Sequence, residues 1–208
     1  MNKIEAISII EEFVKNNIGS HDGGHDWWHL NRVRNLSLYI CAKEGKGDLL
    51  TVEISALLHD IGDKKFRKKG EEDHLNRICH MLESIHLEKK LIDEVLFTNA
   101  NISFSKGERP AMVSPEFKVV QDADRLDAIG AIGIARAFNY GGYKNNSIYD
   151  PEGLQASTIA HFYDKLLKLK DLMNTETGRK LADERHRYLE SFLVMFYNEW
   201  KFGDKSEV

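Results

Sequence analysis

The segment Ser55-Ala-Leu-Leu-His-Asp-Ile-Gly-Asp-Lys-Lys-Phe66 begins as an apolar run and closes on adjacent His59 and Asp60, with Gly62 just beyond. An apolar run that meets a glycine reads as the end of a buried helix. Burying an imidazole beside a carboxylate at such a place is costly unless something compensates both groups. At a helix end, two consecutive side chains can also converge on one divalent ion, which a helix middle does not allow. On its own the dipeptide fits equally a helix-terminal histidine beside a solvated aspartate.

Helical spacing continues outward in both directions. Apolar residues recur three and four apart at Ile4, Ile7, Ile10 and Val14, at Val33, Leu36 and Ile40, and at Leu75, Ile78, Leu82 and Ile85, while strand-like alternation is rare. Breaks are expected at 19–24, 45–47, 62–70, 99–115 and 140–153, where glycine, proline and polar residues gather. Asp26 reads as the cap of a helix carrying 27–42, and Ser114-Pro115 as the cap and first residue of a helix through Asp124 and Asp127. The spacing predicts an all-α protein, a compact bundle of about seven to ten helices. The apolar stripe of the last helix, from Leu181 through Tyr188, Leu189, Phe192 and Phe196 to Trp200, reads as core packing.

Two further segments carry candidate metal chemistry. Asp26-Trp-Trp-His-Leu-Asn-Arg-Val33 sets His29 in a first helical turn, on or beside the stripe that faces the core. Val119-Val-Gln-Asp-Ala-Asp-Arg-Leu-Asp-Ala-Ile129 packs Asp122, Asp124 and Asp127 among aliphatic residues. Acids in such surroundings need a positive partner. A metal ion is the economical partner, and pairing with Arg125, Arg32 or Arg34 is the competing one.

The chain has 208 residues, 42% of them hydrophobic, which is enough for a sizeable core and fits one domain over residues 1–208. Its 29 basic residues against 33 acidic ones leave a net charge of -4, so no strong global field favours a nucleic acid polymer or an anionic membrane as a partner. No apolar run reaches the roughly 18 to 20 residues that a membrane-spanning helix needs, and Glu5, Glu11 and Glu12 interrupt the amino-terminal stretch where a secretion signal would be uncharged. Cys41 and Cys79, both inside apolar helical patterns, read as free thiols, and a cytoplasmic location is expected. Assembly as a homodimer is left open.

The ordered set His29, His59-Asp60, Asp124 resembles the H...HD...D signature of the HD superfamily of metal-dependent phosphohydrolases. The segments 25–33, 56–65 and 122–136, together with Tyr140-Gly-Gly142, 161–169 and 185–200, resemble its YedJ/YpgQ-like branch over nearly the whole chain. The resemblance implies His29, His59, Asp60 and Asp124 as ligands of one divalent ion. It selects Asp124 because a basic residue and Leu126 follow it directly, with Asp122 as the fallback. It also implies Asp63 as the general acid or base. The substrate it implies is a small nucleotide or other phosphorylated molecule, with release of pyrophosphate from a nucleoside triphosphate ranked ahead of monophosphate removal. The alternatives are an HD-type nucleotide monophosphatase or phosphodiesterase and, outside the enzymes, a nucleotide-binding sensor.

Two imidazoles and two carboxylates make a mixed nitrogen and oxygen donor set that suits Mn, Mg, Fe, Co or Ni better than a structural zinc site. Such an ion activates a water for attack at phosphorus. Lys64 and Lys65, next to the proposed ligands, are candidates for holding a polyphosphate, whereas Arg67 to Lys69 read as a solvated surface. Arg125 is a second candidate for phosphate contact, and Asp127 for ordering a water or holding Arg125. Tyr140, in a glycine-rich loop with Tyr143, and His161 are candidates to complete the substrate pocket. His21 and His25 offer an alternative histidine row with His29, against which Gly23-Gly24 argues, and His74, His80 and His86 are candidates for a second metal.

Overall fold

The computed structural model describes residues 2–18, 26–62, 73–102 and 112–201. Among these residues it is all-α: nine α-helices, one 3-10 helix and a single isolated bridge between Ser147 and Ser157. The chain packs into two compact units, Met1–Asp124 and Arg125–Val208.

The first unit is built around α3 (Leu49–Leu58), which packs against α1 (Lys3–Asn17), α2 (Trp27–Glu44) and α5 (Lys89–Asn101). Every residue of α3 from Thr51 to Leu58 is buried, as expected of a helix apolar nearly all round. Ile54, Leu57 and Leu58 meet Ile10 and Val14 of α1, Leu30 of α2, Ile78 and Leu82 of α4 (His74–Ser84) and Ile92 and Val95 of α5 in one core. Full burial of each such side chain contributes about 1.5 to 3 kcal/mol. Glu53 is the one charge on α3, and it stays buried because Arg34 of α2 and Lys3 of α1 neutralise it.

Side-chain caps set where these helices begin. Asp26 accepts the His29 backbone N–H at 2.8 Å, Asp48 that of Thr51 at 2.7 Å, and Ser114 that of Phe117 at 2.9 Å. The caps expected at Asp26 and Ser114 are therefore the ones formed. Gly45 closes α2 with φ 62°, a left-handed conformation that glycine adopts without strain. Helix α6 (Pro115–Asp127) carries Asp124, with which the first unit ends, and Arg125, with which the second begins.

In the second unit α7 (Gly130–Tyr143) packs on α8 (Thr158–Asp164) and on α9 (Glu176–Trp200), and the 3-10 helix Leu166–Leu172 packs on α8 and α9. Phe162 stacks on Phe192 at 5.7 Å, and Phe138 closes on both rings. Two sequence expectations are corrected here. Tyr140 to Tyr143 form the last turn of α7 rather than a loop, because Gly141 is where that helix touches α8: a Cβ there would stand 2.1 Å from the Thr158 hydroxyl. Only part of the α9 stripe is core, since Leu189 is buried while Tyr188 and Trp200 are 56% and 45% exposed. Among the described residues no helix is long and apolar enough to cross a membrane.

Candidate metal centre

Three helix ends bring the sequence candidates of the first unit together. His29 enters from the first turn of α2, which the Asp26 cap fixes through the residue's own N–H. His59 stands at the C-cap of α3, with Asp60 next to it in the turn. Asp124 comes from α6.

The donor atoms face one another. Nε2 of His29 lies 3.3 Å from Oδ2 of Asp60 and 3.6 Å from Oδ1 of Asp124. Nε2 of His59 lies 3.7 Å from the same two oxygens. The two imidazoles meet edge to face with ring centroids 5.2 Å apart. Donors of His29, His59 and Asp124 all fall within 4.8 Å of one another. Two donors each about 2.1 Å from one ion stand about 3.0 to 3.4 Å apart, so these separations are close to the edges of a coordination shell. The Asp122 carboxylate, the fallback ligand, is buried on the same helix and is outside this cluster.

The orientation of His59 is fixed from behind. Its Nδ1 lies 2.8 Å from the Ala56 carbonyl, which can only accept, so Nδ1 carries the hydrogen and Nε2 is the atom turned to the carboxylates. That Nε2 is fully buried with no hydrogen-bond partner, a cost that an ion between the four groups removes.

Electrostatics agree with a site that wants a cation. Burial opposes charge on His59, yet Asp60 and Asp124 outweigh it and raise the pKa to about 9. Burial likewise pushes the Asp124 carboxyl up, but His59 and then His29 overcome it and hold the group below the usual carboxylate range. Both histidine side chains are wholly buried, whereas those of Asp60 and Asp124 keep 19% and 31% of their exposure. The exposure that remains at the centre thus lies on the two carboxylates.

Arg125 is buried and donates to the Leu172 carbonyl, and Asp127 forms an ion pair with Arg136 at 2.9 Å. Tyr140 is half-buried in α7 with Lys144 Nζ 5.5 Å over its ring. His161 is half-buried in α8, and burial, helped by Lys165, pushes its pKa down. Asp63, Lys64 and Lys65 lie outside the described residues, as do His21 and His25. Among the described residues His74, His80 and His86 form no second cluster of metal-binding groups.

The sequence reading missed what holds the turn. Gly62 has φ 81°, and a Cβ on it would stand 2.2 Å from Cβ of His74 in α4, so only glycine fits this position. From α5, Asn99 Nδ2 donates to the carbonyls of Leu58 at 2.6 Å and Ile61 at 3.2 Å. The glycine after His59-Asp60 was a visible signal; a lone asparagine about forty residues downstream was not.

A protein-family model of the HD domain matches residues 27–129, from the start of α2 to just past α6, and so spans all four donors. YpgQ of Bacillus subtilis is 40% identical over 195 residues, 93% of each chain. This chain belongs to the HD superfamily. The crystal structure of Bacillus subtilis YpgQ in complex with ADP is similar at 39% identity, covering 93% of this chain and 97% of that one, with a TM-score of 0.78. An HD-superfamily hydrolase from Bacillus thuringiensis is similar at 41% identity over 96% and 99% of the two chains, with a TM-score of 0.79. At the level of the HD superfamily, then, the chain is a hydrolase.

Proposed function

We propose that this HD protein is a divalent-metal-dependent phosphohydrolase of nucleotides that cleaves nucleoside triphosphates with release of pyrophosphate. The observation that carries the reading is the convergence of His29, His59, Asp60 and Asp124 from three helices, with both imidazole Nε2 atoms turned to the same pair of carboxylate oxygens. The ADP in the crystal structure of the similar YpgQ supports a nucleotide as the substrate class.

His29, His59, Asp60 and Asp124 hold the ion in this reading. A divalent ion bound there polarises a phosphoryl oxygen and lowers the pKa of a coordinated water. The residues do the remaining work. The Ala56 carbonyl keeps His59 in the Nδ1–H form, and the two carboxylates would balance the charge of the divalent ion. Asp63 is the proposed acid or base, and Lys64 and Lys65 the proposed partners of a polyphosphate. Tyr140 and His161 are retained for the rest of the nucleotide. Arg125 is the proposed second phosphate contact and Asp127 the residue that orders a water, while the fold also ties them to the Leu172 carbonyl and to Arg136.

A panel of nucleoside mono-, di- and triphosphates, incubated with Mn(II) or Mg(II) and scored separately for pyrophosphate and phosphate, tests the reading. The expected products are pyrophosphate and a monophosphate from triphosphates. Phosphate release from monophosphates alone would overturn the ranking, and no turnover of any nucleotide would favour a sensor.

A further inference from the structure

The turn that presents His59 and Asp60 is gripped by a side chain with no part in the chemistry described so far. Helix α3 ends at Leu58, and its last carbonyls have no partners within the helix. The Ile61 N–H returns to the Leu58 carbonyl at 3.1 Å and closes the turn. The half-buried carboxamide of Asn99 then donates to that carbonyl at 2.6 Å and to the Ile61 carbonyl at 3.2 Å. These two carbonyls bracket the His-Asp pair on either side. Because both partners can only accept, the NH2 end of Asn99 must face the turn, and each of its two hydrogens meets one carbonyl. On α4 His74 fills the space that a Cβ on Gly62 would need, so packing limits the same turn from another helix.

We infer that Asn99 is a positioning residue for the metal centre: its two hydrogen bonds to Leu58 and Ile61 fix the backbone from which the His59 and Asp60 side chains reach the ion. The inference rests on reading those two residues as ligands. A carboxamide in this place does what an outer-shell partner does for a ligand side chain, but it acts on the backbone that carries two ligands at once. No other residue type of this size supplies two N–H donors from one atom to carbonyls at this reach.

The test is Mn(II) titration of the full-length metal-free chain by calorimetry. Asn99→Leu keeps the volume and removes both donors, while Asn99→Asp keeps the shape and sets a carboxylate against two carbonyl oxygens. Asn101→Leu is the control, since Asn101 donates to the Phe97 carbonyl at 2.8 Å within α5 and so loses a comparable bond away from the turn. Loss of an outer-shell partner typically weakens metal binding by about 10- to 100-fold, and that is the range expected for both Asn99 variants, with the control unchanged. Melting of the metal-free proteins separates this from a folding defect: a merely structural Asn99 lowers the melting temperature and leaves the Mn(II) affinity of the folded chain alone. Affinities within about twofold of the parent for the Asn99 variants would overturn the inference. Should Asn99→Leu fail to fold, Asn99→Asp alone decides. If the parent chain itself takes up no Mn(II), the reading of the site fails first.

Discussion

Asp124 and Asp127 stand three residues apart on α6, within one aliphatic stretch of sequence, yet they meet their positive partners in different ways. Asp127 is buried and answered within the protein by Arg136 at 2.9 Å. Asp124 faces two imidazoles at 3.6 and 3.7 Å, and Asp60 adds a second carboxylate to the same group. An arginine brings a permanent charge and fixed hydrogen bonds, so its partner serves structure. Imidazoles can release their protons and offer lone pairs, so a carboxylate among them is part of a ligand set. What separates the roles of the two acids is therefore the chemistry of what faces them.

Exchanging each acid for alanine should break this symmetry in opposite directions. Asp124→Ala removes a ligand, and hydrolysis should fall on the order of a thousandfold with loss of Mn(II) uptake. Asp127→Ala leaves Arg136 without its carboxylate and should cost about 3 kcal/mol of stability in chemical denaturation, with Mn(II) uptake by the folded chain retained. If Asp127→Ala lost the metal and Asp124→Ala kept it, the assignment would be reversed.

A smaller effect sharpens the contrast through pH. In the metal-free chain Asp60 and Asp124 hold the His59 pKa at about 9, above the ordinary imidazole value of 6.5. Because the folded pKa is the higher one, the stability this proton confers is fully present below pH 6.5 and is lost as pH rises through about 9. Metal binding runs the other way, since the ion must displace that proton. Apparent Mn(II) affinity should weaken by about tenfold for each pH unit below 9, with one proton released per ion near neutral pH. A pH-independent affinity would mean that His59 is no ligand.

Much of this was legible in the sequence for definite reasons. Helical spacing marked the helices, and Asp26 and Ser114 announced two of their starts because a cap needs a side-chain acceptor at one fixed position. The order His29, His59-Asp60, Asp124 picked out side chains that the fold brings near one another. The sequence left open whether buried acids on α6 meet a metal or an arginine; Asp127 meets an arginine, Arg136 rather than the nearer candidates, and Asp124 faces two imidazoles. Tyr140-Gly-Gly-Tyr143 read as a loop because glycine is a turn signal, whereas here Gly141 lets two helices touch. Asn99 carried no signal, since its role depends on which carbonyls another helix places beside it.

The central claim is tested most directly by soaking a crystal of the protein with Mn(II) and locating the ion by its anomalous scattering. One strong peak is expected about 2.0 to 2.3 Å from Nε2 of His29 and His59 and from a carboxylate oxygen of Asp60 and Asp124. A crystal with no peak there, or with the ion bound away from His29, would contradict it.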